Sequence, residues 1–168
     1  MRNINLYILI SCLAVCLAGC KVYSFTGASI SPDIKTVTIA VFPNQATLVQ
    51  PSLSQVFTEK LKDKFVSQTN LTQTQYGGDL QFEGAITDYF SMPTAIQGNE
   101  QAALNRLTIV VKVKFTNTKD EKQSFETSFS RFTDYDSRKN LTSIEQELIN
   151  EVCNQLVDDI FNKAVINW

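Results

Sequence analysis

No histidine occurs among the 168 residues. That removes the usual general base, the usual activator of a serine or cysteine nucleophile and the commonest metal ligand. Cysteine is sparse as well, at Cys12, Cys16, Cys20 and Cys153, too few and too scattered for a disulfide framework. There is no phosphate-cradling glycine loop, because Gly77-Gly78 lacks the rest of any P-loop or dinucleotide fingerprint and reads as a turn. Basic residues are not in excess: 15 Lys and Arg stand against 17 Asp and Glu, a balance that argues against nucleic acid as a partner. Nor is there a long apolar run, since the stretch from Ile4 to Leu17 is too short for a confident membrane span.

That short run has another reading. A minimal charged end, Arg2, precedes it, and Leu17-Ala18-Gly19-Cys20 follows directly, in the manner of a secretory signal. Small residues at Ala18 and Gly19 let an extended chain enter a peptidase cleft, and a cysteine just beyond them resembles the bacterial lipobox. The resemblance implies removal of residues 1–19, diacylglycerol on the Cys20 sulfur and a third acyl chain on its new amino terminus. One acyl chain binds membranes only reversibly, whereas three anchor firmly at about 0.8 kcal/mol per buried methylene. The processed chain keeps about 150 residues, enough for one domain with its own core. Cys153 is then the remaining thiol; it falls on the helical stripe Ile149, Val152, Cys153, Leu156, Ile160 and reads as a core residue.

Residues 20–35 form a tether that is not purely polar, for Val22, Tyr23, Phe25 and Ile30 suggest docking on the domain or on a partner. A single domain is expected over residues 36–168. Thr36–Phe42 alternates with period two and predicts a first strand. Ser52 and Gln55 resemble a capping box, followed by Leu53, Val56, Phe57, Leu61 and Phe65 at helical spacing. A weak strand over Leu71–Tyr76 would form a hairpin, through Gly77-Gly78-Asp79, with the alternating run Leu80, Phe82, Gly84, Ile86. Residues 91–103 are expected to be the longest loop. The strongest strand then sets Leu107, Ile109, Val111, Val113 and Phe115 on one face, with Lys112 and Lys114 on the other. Phe125, Thr127 and Phe129 continue antiparallel to it. Thr142 with Glu145 repeats the capping pattern ahead of a long helix through Ile144, Leu148, Val152, Leu156 and Ile160. The expected fold is α+β: a three- to four-stranded, mainly antiparallel sheet with two helices packed on one face, in the order β-α-β-β-β-α.

Several segments together resemble the LptE family of lipopolysaccharide-assembly lipoproteins in its Bacteroidetes-type form. They are Tyr23–Ile30, Phe42-Pro43-Asn44, Leu53-Ser54-Gln55, Gly78-Asp79-Leu80 with Phe82-Glu83-Gly84, and Gln101–Thr108. The resemblance covers essentially the whole chain after Cys20. It implies a periplasm-facing domain anchored in the outer membrane and paired with a large LptD-like β-barrel. Such a subunit plugs the barrel, helps it assemble and helps deliver lipopolysaccharide to the outer leaflet, without catalysing a reaction or needing a cofactor beyond the acyl lipid on Cys20. Lys21 follows the anchor with no acidic run after it, consistent with a domain facing the periplasm.

Two sets of residues are candidates for contact. Arg106, Lys112 and Lys114 are spaced to meet the phosphates of a lipopolysaccharide head group. Tyr89, Phe90 and Met92, at the entry to the Pro93 loop, are candidate anchors against the barrel. Pairs such as Asp158-Asp159 or Asp134 with Asp136 lack the histidine and the shared face that a metal site would want, and read as surface. A competing function is an anchored regulatory module of another envelope machine, such as a peptidoglycan synthase, although the short tether weighs against it.

Overall fold

The computed structural model describes residues 30–48, 50–94 and 104–165. The lipobox with Cys20, most of the tether and residues 95–103 of the expected 91–103 loop lie outside them. Strand β1 (Thr36–Ile39) turns Val37 and Ile39 inward, as its alternation requires. Helix α1 (Leu53–Gln68) follows, and its stripe of Leu53, Phe57, Leu61 and Phe65 is completely buried. Side chains of this size contribute about 1.5–3 kcal/mol each when fully buried, which fixes the face that the helix presents.

The α1 capping box does not form. Gln50 Oε1 instead accepts from the Ser52 N–H at 2.9 Å, and Gln55 donates to Glu59 one turn on. In helix α2 (Leu141–Val165) the carboxamide of Asn140 takes the Thr142 N–H at 3.0 Å, while Glu145 is drawn away by tertiary partners. At α1 the pattern lost to near neighbours, Gln50 and Glu59, whereas at α2 Asn140 caps locally and Glu145 goes to the distant Tyr89 and Gln50.

Five strands make one mixed sheet in the order β2-β1-β3-β4-β5, with β2 at Thr72–Thr74, β3 at Leu80–Pro93, β4 at Leu104–Asn117 and β5 at Phe125–Asp136. The α+β class and the packing of both helices on one face are as expected. The count and the pairing differ. No hairpin joins β2 to β3; β1 lies between them and is parallel to both. The cause lies in the connection. Gly78 passes directly over β1, its N–H donating to Thr38 Oγ1 at 2.9 Å. The Asp79 carboxylate then takes the N–H groups of Lys35 and Thr36 and the Thr36 hydroxyl at 2.9–3.0 Å. A Cβ at Gly78 would stand 2.7 Å from the Thr38 nitrogen, so the crossing needs glycine.

Strands β3 and β4 are also longer than expected: β3 takes in residues 91–93 of the expected loop, and β4 starts at Leu104, directly after it. Pro93 ends β3 without cost to the ladder. Thr94, one residue on, donates its N–H to the Leu104 carbonyl, so by strand alternation the Pro93 nitrogen points away from β4. A bulge between Ile86 and Asp88 shifts the alternation, so that Tyr89 rather than Asp88 faces the helices.

Between sheet and helices runs a phenylalanine core. Phe65, Phe82, Phe115 and Phe125 follow one another with ring centroids 4.7, 4.8 and 5.1 Å apart, in the tilted geometries that aromatic pairs favour. Cys153 is buried in the same core, and burial pushes its thiol up to about 12. It is an inert core residue, as its place on the helical stripe indicates.

Candidate functional site

With both helices on one side, the opposite face of β3, β4 and β5 has no covering layer among the described residues. Its side chains follow from register. Arg106 is flanked by Met92 and Asp134, Thr108 by Phe90 and Phe132, Lys112 by Ala85 and Ser128, and Lys114 by Glu83 and Glu126. The three candidate cations therefore lie in one row along β4, as their even spacing requires.

Each of them already has an acidic partner. The Arg106 guanidinium grips Asp134 through Nε and Nη2 at 2.7 and 2.9 Å and stacks 3.6 Å above the Phe132 ring. This bidentate bond holds the Asp134 carboxyl below the usual carboxylate range and raises the guanidinium. Lys112 Nζ lies 2.6 Å from Glu126, which lowers that carboxyl, and Lys114 Nζ is 3.6 Å from Glu83. Lys112 and Lys114 are more than half exposed, so these pairs are held in high dielectric and exchange readily. An anion reaching this row must displace carboxylates rather than fill an empty cradle.

The row is polar at one end and apolar at the other. Around Arg106 lie Phe90, Met92, Leu104 and Phe132, of which Met92 is 57%, Phe132 46% and Leu104 44% exposed. Phe90, Met92, Pro93, Thr94, Arg106 and Thr108 line a shallow groove there. Phe90 and Met92 are surface residues of a strand rather than of a loop.

Tyr89 corrects the expectation. The bulge turns it inward, where it is 6% exposed and donates its hydroxyl proton to Glu145 at 2.5 Å. Burial first, and then Glu145, raise its phenol far above the ordinary value. Glu145 also accepts from Gln50 at 3.1 Å, so the three residues tie β3, α2 and the segment before α1 together. Tyr89 is a core fastener and offers no surface to a partner. Sequence reasoning missed Leu104 and Phe132. Phe132 carried a signal, for it shares even numbering with Glu126, Ser128 and Ser130, opposite in phase to Phe125 and Phe129.

The acidic pairs are each held by a cation: Asp158 by Lys64 at 2.6 Å, Asp159 by Arg131 at 2.5 Å and Asp136 by Arg138 at 2.5 Å. Among the described residues no group of three carboxylate or cysteine ligands converges, and no helix is long and apolar enough to cross a membrane.

A family model, LptE, described as lipopolysaccharide-assembly, matches residues 34–164. That span takes in every strand and helix of the domain up to the last residue of α2. No curated protein matches the sequence. Solved structures of the same fold include a hypothetical protein, CT253, from Chlamydia trachomatis (TM-score 0.55, 8% identity, covering 80% of this chain and 99% of that one). A second is protein XCC0632 from Xanthomonas campestris (0.52, 11%, 83% and 90%). A third is a minor lipoprotein from Acinetobacter baumannii (0.51, 12%, 77% and 91%).

Proposed function

The chain belongs to the LptE family of lipopolysaccharide-assembly proteins, and from that premise we propose that it acts as an outer-membrane lipoprotein subunit of the lipopolysaccharide translocon. It is held by acyl chains on Cys20, faces the periplasm, and partners a large LptD-like β-barrel that it plugs and helps to assemble. Its work is binding rather than bond-making. The observation that carries this reading is the family match over residues 34–164. Two further features support it. The face of β3–β5 opposite the helices offers an amphipathic surface to a partner, and Lys112 and Lys114, in line with the more firmly held Arg106, give that face exchangeable cations for lipid phosphates. With Tyr89 buried, Phe90 and Met92 together with Leu104 and Phe132 are the apolar contacts we assign to the barrel.

The test is recovery of the C-terminally tagged chain from the native envelope in mild detergent, with mass identification of stoichiometric proteins and lipids. A large barrel together with lipopolysaccharide is the expected result. A peptidoglycan synthase in place of the barrel would move the assignment to a regulatory module.

A further inference from the structure

Strand β5 is a twelve-residue sheet edge. Soluble proteins usually guard such an edge with proline, a bulge, a covering loop or an uncompensated charge, because its free N–H and C=O groups template another strand. Proline, bulge and covering loop are all missing from β5 among the described residues, which leaves only its charges. It contains no proline, and its register against β4 is unbroken from Leu104–Asp136 to Phe115–Phe125. Its charges are all compensated within the domain. Arg131 points inward but is held by Asp159, Glu126 by Lys112 and Asp134 by Arg106. An added strand without acid opposite Glu126 and Asp134 would therefore meet an unbroken edge.

The bond from Thr94 N–H to the Leu104 carbonyl sets the phase. Even-numbered residues of β4 bond toward β3 and odd-numbered ones toward β5. Opposite them, Thr127, Phe129 and Arg131 bond back to β4, while Ser128, Ser130 and Phe132 turn their N–H and C=O groups outward.

We propose that β5 is a strand-addition site that takes an extended segment of the barrel subunit, an inference that rests on the translocon reading above. A closed barrel has no free edge of its own, so the segment comes from a part of that subunit outside the closed wall. Its inward side chains are small and apolar, to cover the half-buried Phe125 and Phe129 beside α2. Its outward ones avoid acid opposite Glu126 and Asp134. A second copy of this chain fits poorly. The two antiparallel β5–β5 registers that match faces with the fullest overlap put Glu126 opposite Asp134, or Glu126 opposite Asp136 with Arg131 opposite itself, and like charges directly opposed are destabilising.

The experiment is amide hydrogen exchange at single-residue resolution on the lipidated full chain, in its detergent-extracted complex and as the subunit alone. The amides of Ser128, Ser130 and Phe132 are expected to exchange fast in the lone subunit and at least tenfold slower in the complex. Those of Thr127, Phe129 and Arg131 are slow in both. Ser130→Pro removes an outward N–H without touching the β4 ladder; it should melt near the parent temperature yet recover at least tenfold less barrel. A complex in which the three outward amides stay fast overturns this inference and leaves the translocon reading standing. Protection of the same amides in the lone monomeric subunit overturns it too, since the edge is then already covered. Protection that appears only with self-association, or a chain that recovers no barrel, overturns the occupant, and the second of these overturns the translocon reading as well.

Discussion

The ring of Phe42 occupies the place where a side chain on Gly84 would lie. A Cβ built on Gly84 would stand 2.7 Å from that ring and 2.0 Å from the Lys112 carbonyl oxygen, and the backbone there has φ +159°. The missing side chain in the middle of β3 lets Phe42 pack over that strand while the segment after β1 runs beside it, Asn44 bridging to Ile86. Gly84→Ala cannot be absorbed by a flexible neighbour, because the nearest atom is backbone. Overpacking of this kind costs about 3 kcal/mol, and urea unfolding of the domain should show a midpoint lowered accordingly with an unchanged slope.

The two faces of β4 make opposite demands. Val111 is fully buried, and an aspartate there has no partner, a loss above about 4 kcal/mol. Val111→Asp should yield chain without a cooperative melt. Lys112→Asp, one residue on, exchanges an exposed attraction to Glu126 for an exposed repulsion, a small change in high dielectric, and should melt close to the parent. Circular dichroism of both variants checks the assignment, and an unfolded Lys112→Asp would reverse it.

Much of this was legible because period and burial agree. The stripe Leu53, Phe57, Leu61, Phe65 and the alternation from Leu107 to Phe115 each have one way to be buried, so the helix, the strand and the wet face carrying Lys112 and Lys114 followed from spacing. What stayed hidden depended on distant partners. Tyr89 looked like a loop anchor because the bulge that turns it inward leaves no mark in the sequence, and its partner Glu145 lies 56 residues away. The hairpin expected at Gly77-Gly78 was wrong because the Asp79 carboxylate finds Lys35 and Thr36, more than 40 residues back. The row of cations was found by alternation, but its pairing with Asp134, Glu126 and Glu83 came only with the strand register.

Asp79 ties acidity to stability. Backbone N–H of Lys35, then the Thr36 hydroxyl and Lys119, hold its carboxyl far below the ordinary 3.8. A group whose folded pKa is depressed lends stability that is present above its unfolded pKa and lost as pH falls toward the folded one. The parent should therefore exceed Asp79→Asn in stability at neutral pH, with the gap closing below about pH 4. Denaturant midpoints from pH 7 to pH 2.5 measure it, and a gap that does not narrow on acidification would detach the carboxylate's charge from the β1 crossing.

On the open face, a lipid phosphate and a carboxylate compete for the same ammonium. Lys112 Nζ is 2.6 Å from Glu126, and the Glu126 carboxyl is lowered by that bond, so Glu126 competes with any phosphate for this cation. Glu126→Gln removes the competitor, leaves the β5 backbone untouched and makes the row more positive. Binding of diphosphorylated lipid A in detergent micelles should then tighten, roughly threefold for one exposed pair. Lys112→Gln with Lys114→Gln should weaken it by more, and added salt should shrink both effects, most fully at roughly 1 M, where the Debye length falls to about 3 Å. If the lipid instead meets the domain through its apolar end, around Met92 and Phe132, neither charge variant moves the affinity, whereas Phe132→Asp does. The pattern across the three variants thus separates a phosphate contact on β4 from a hydrophobic contact at the end of the same face.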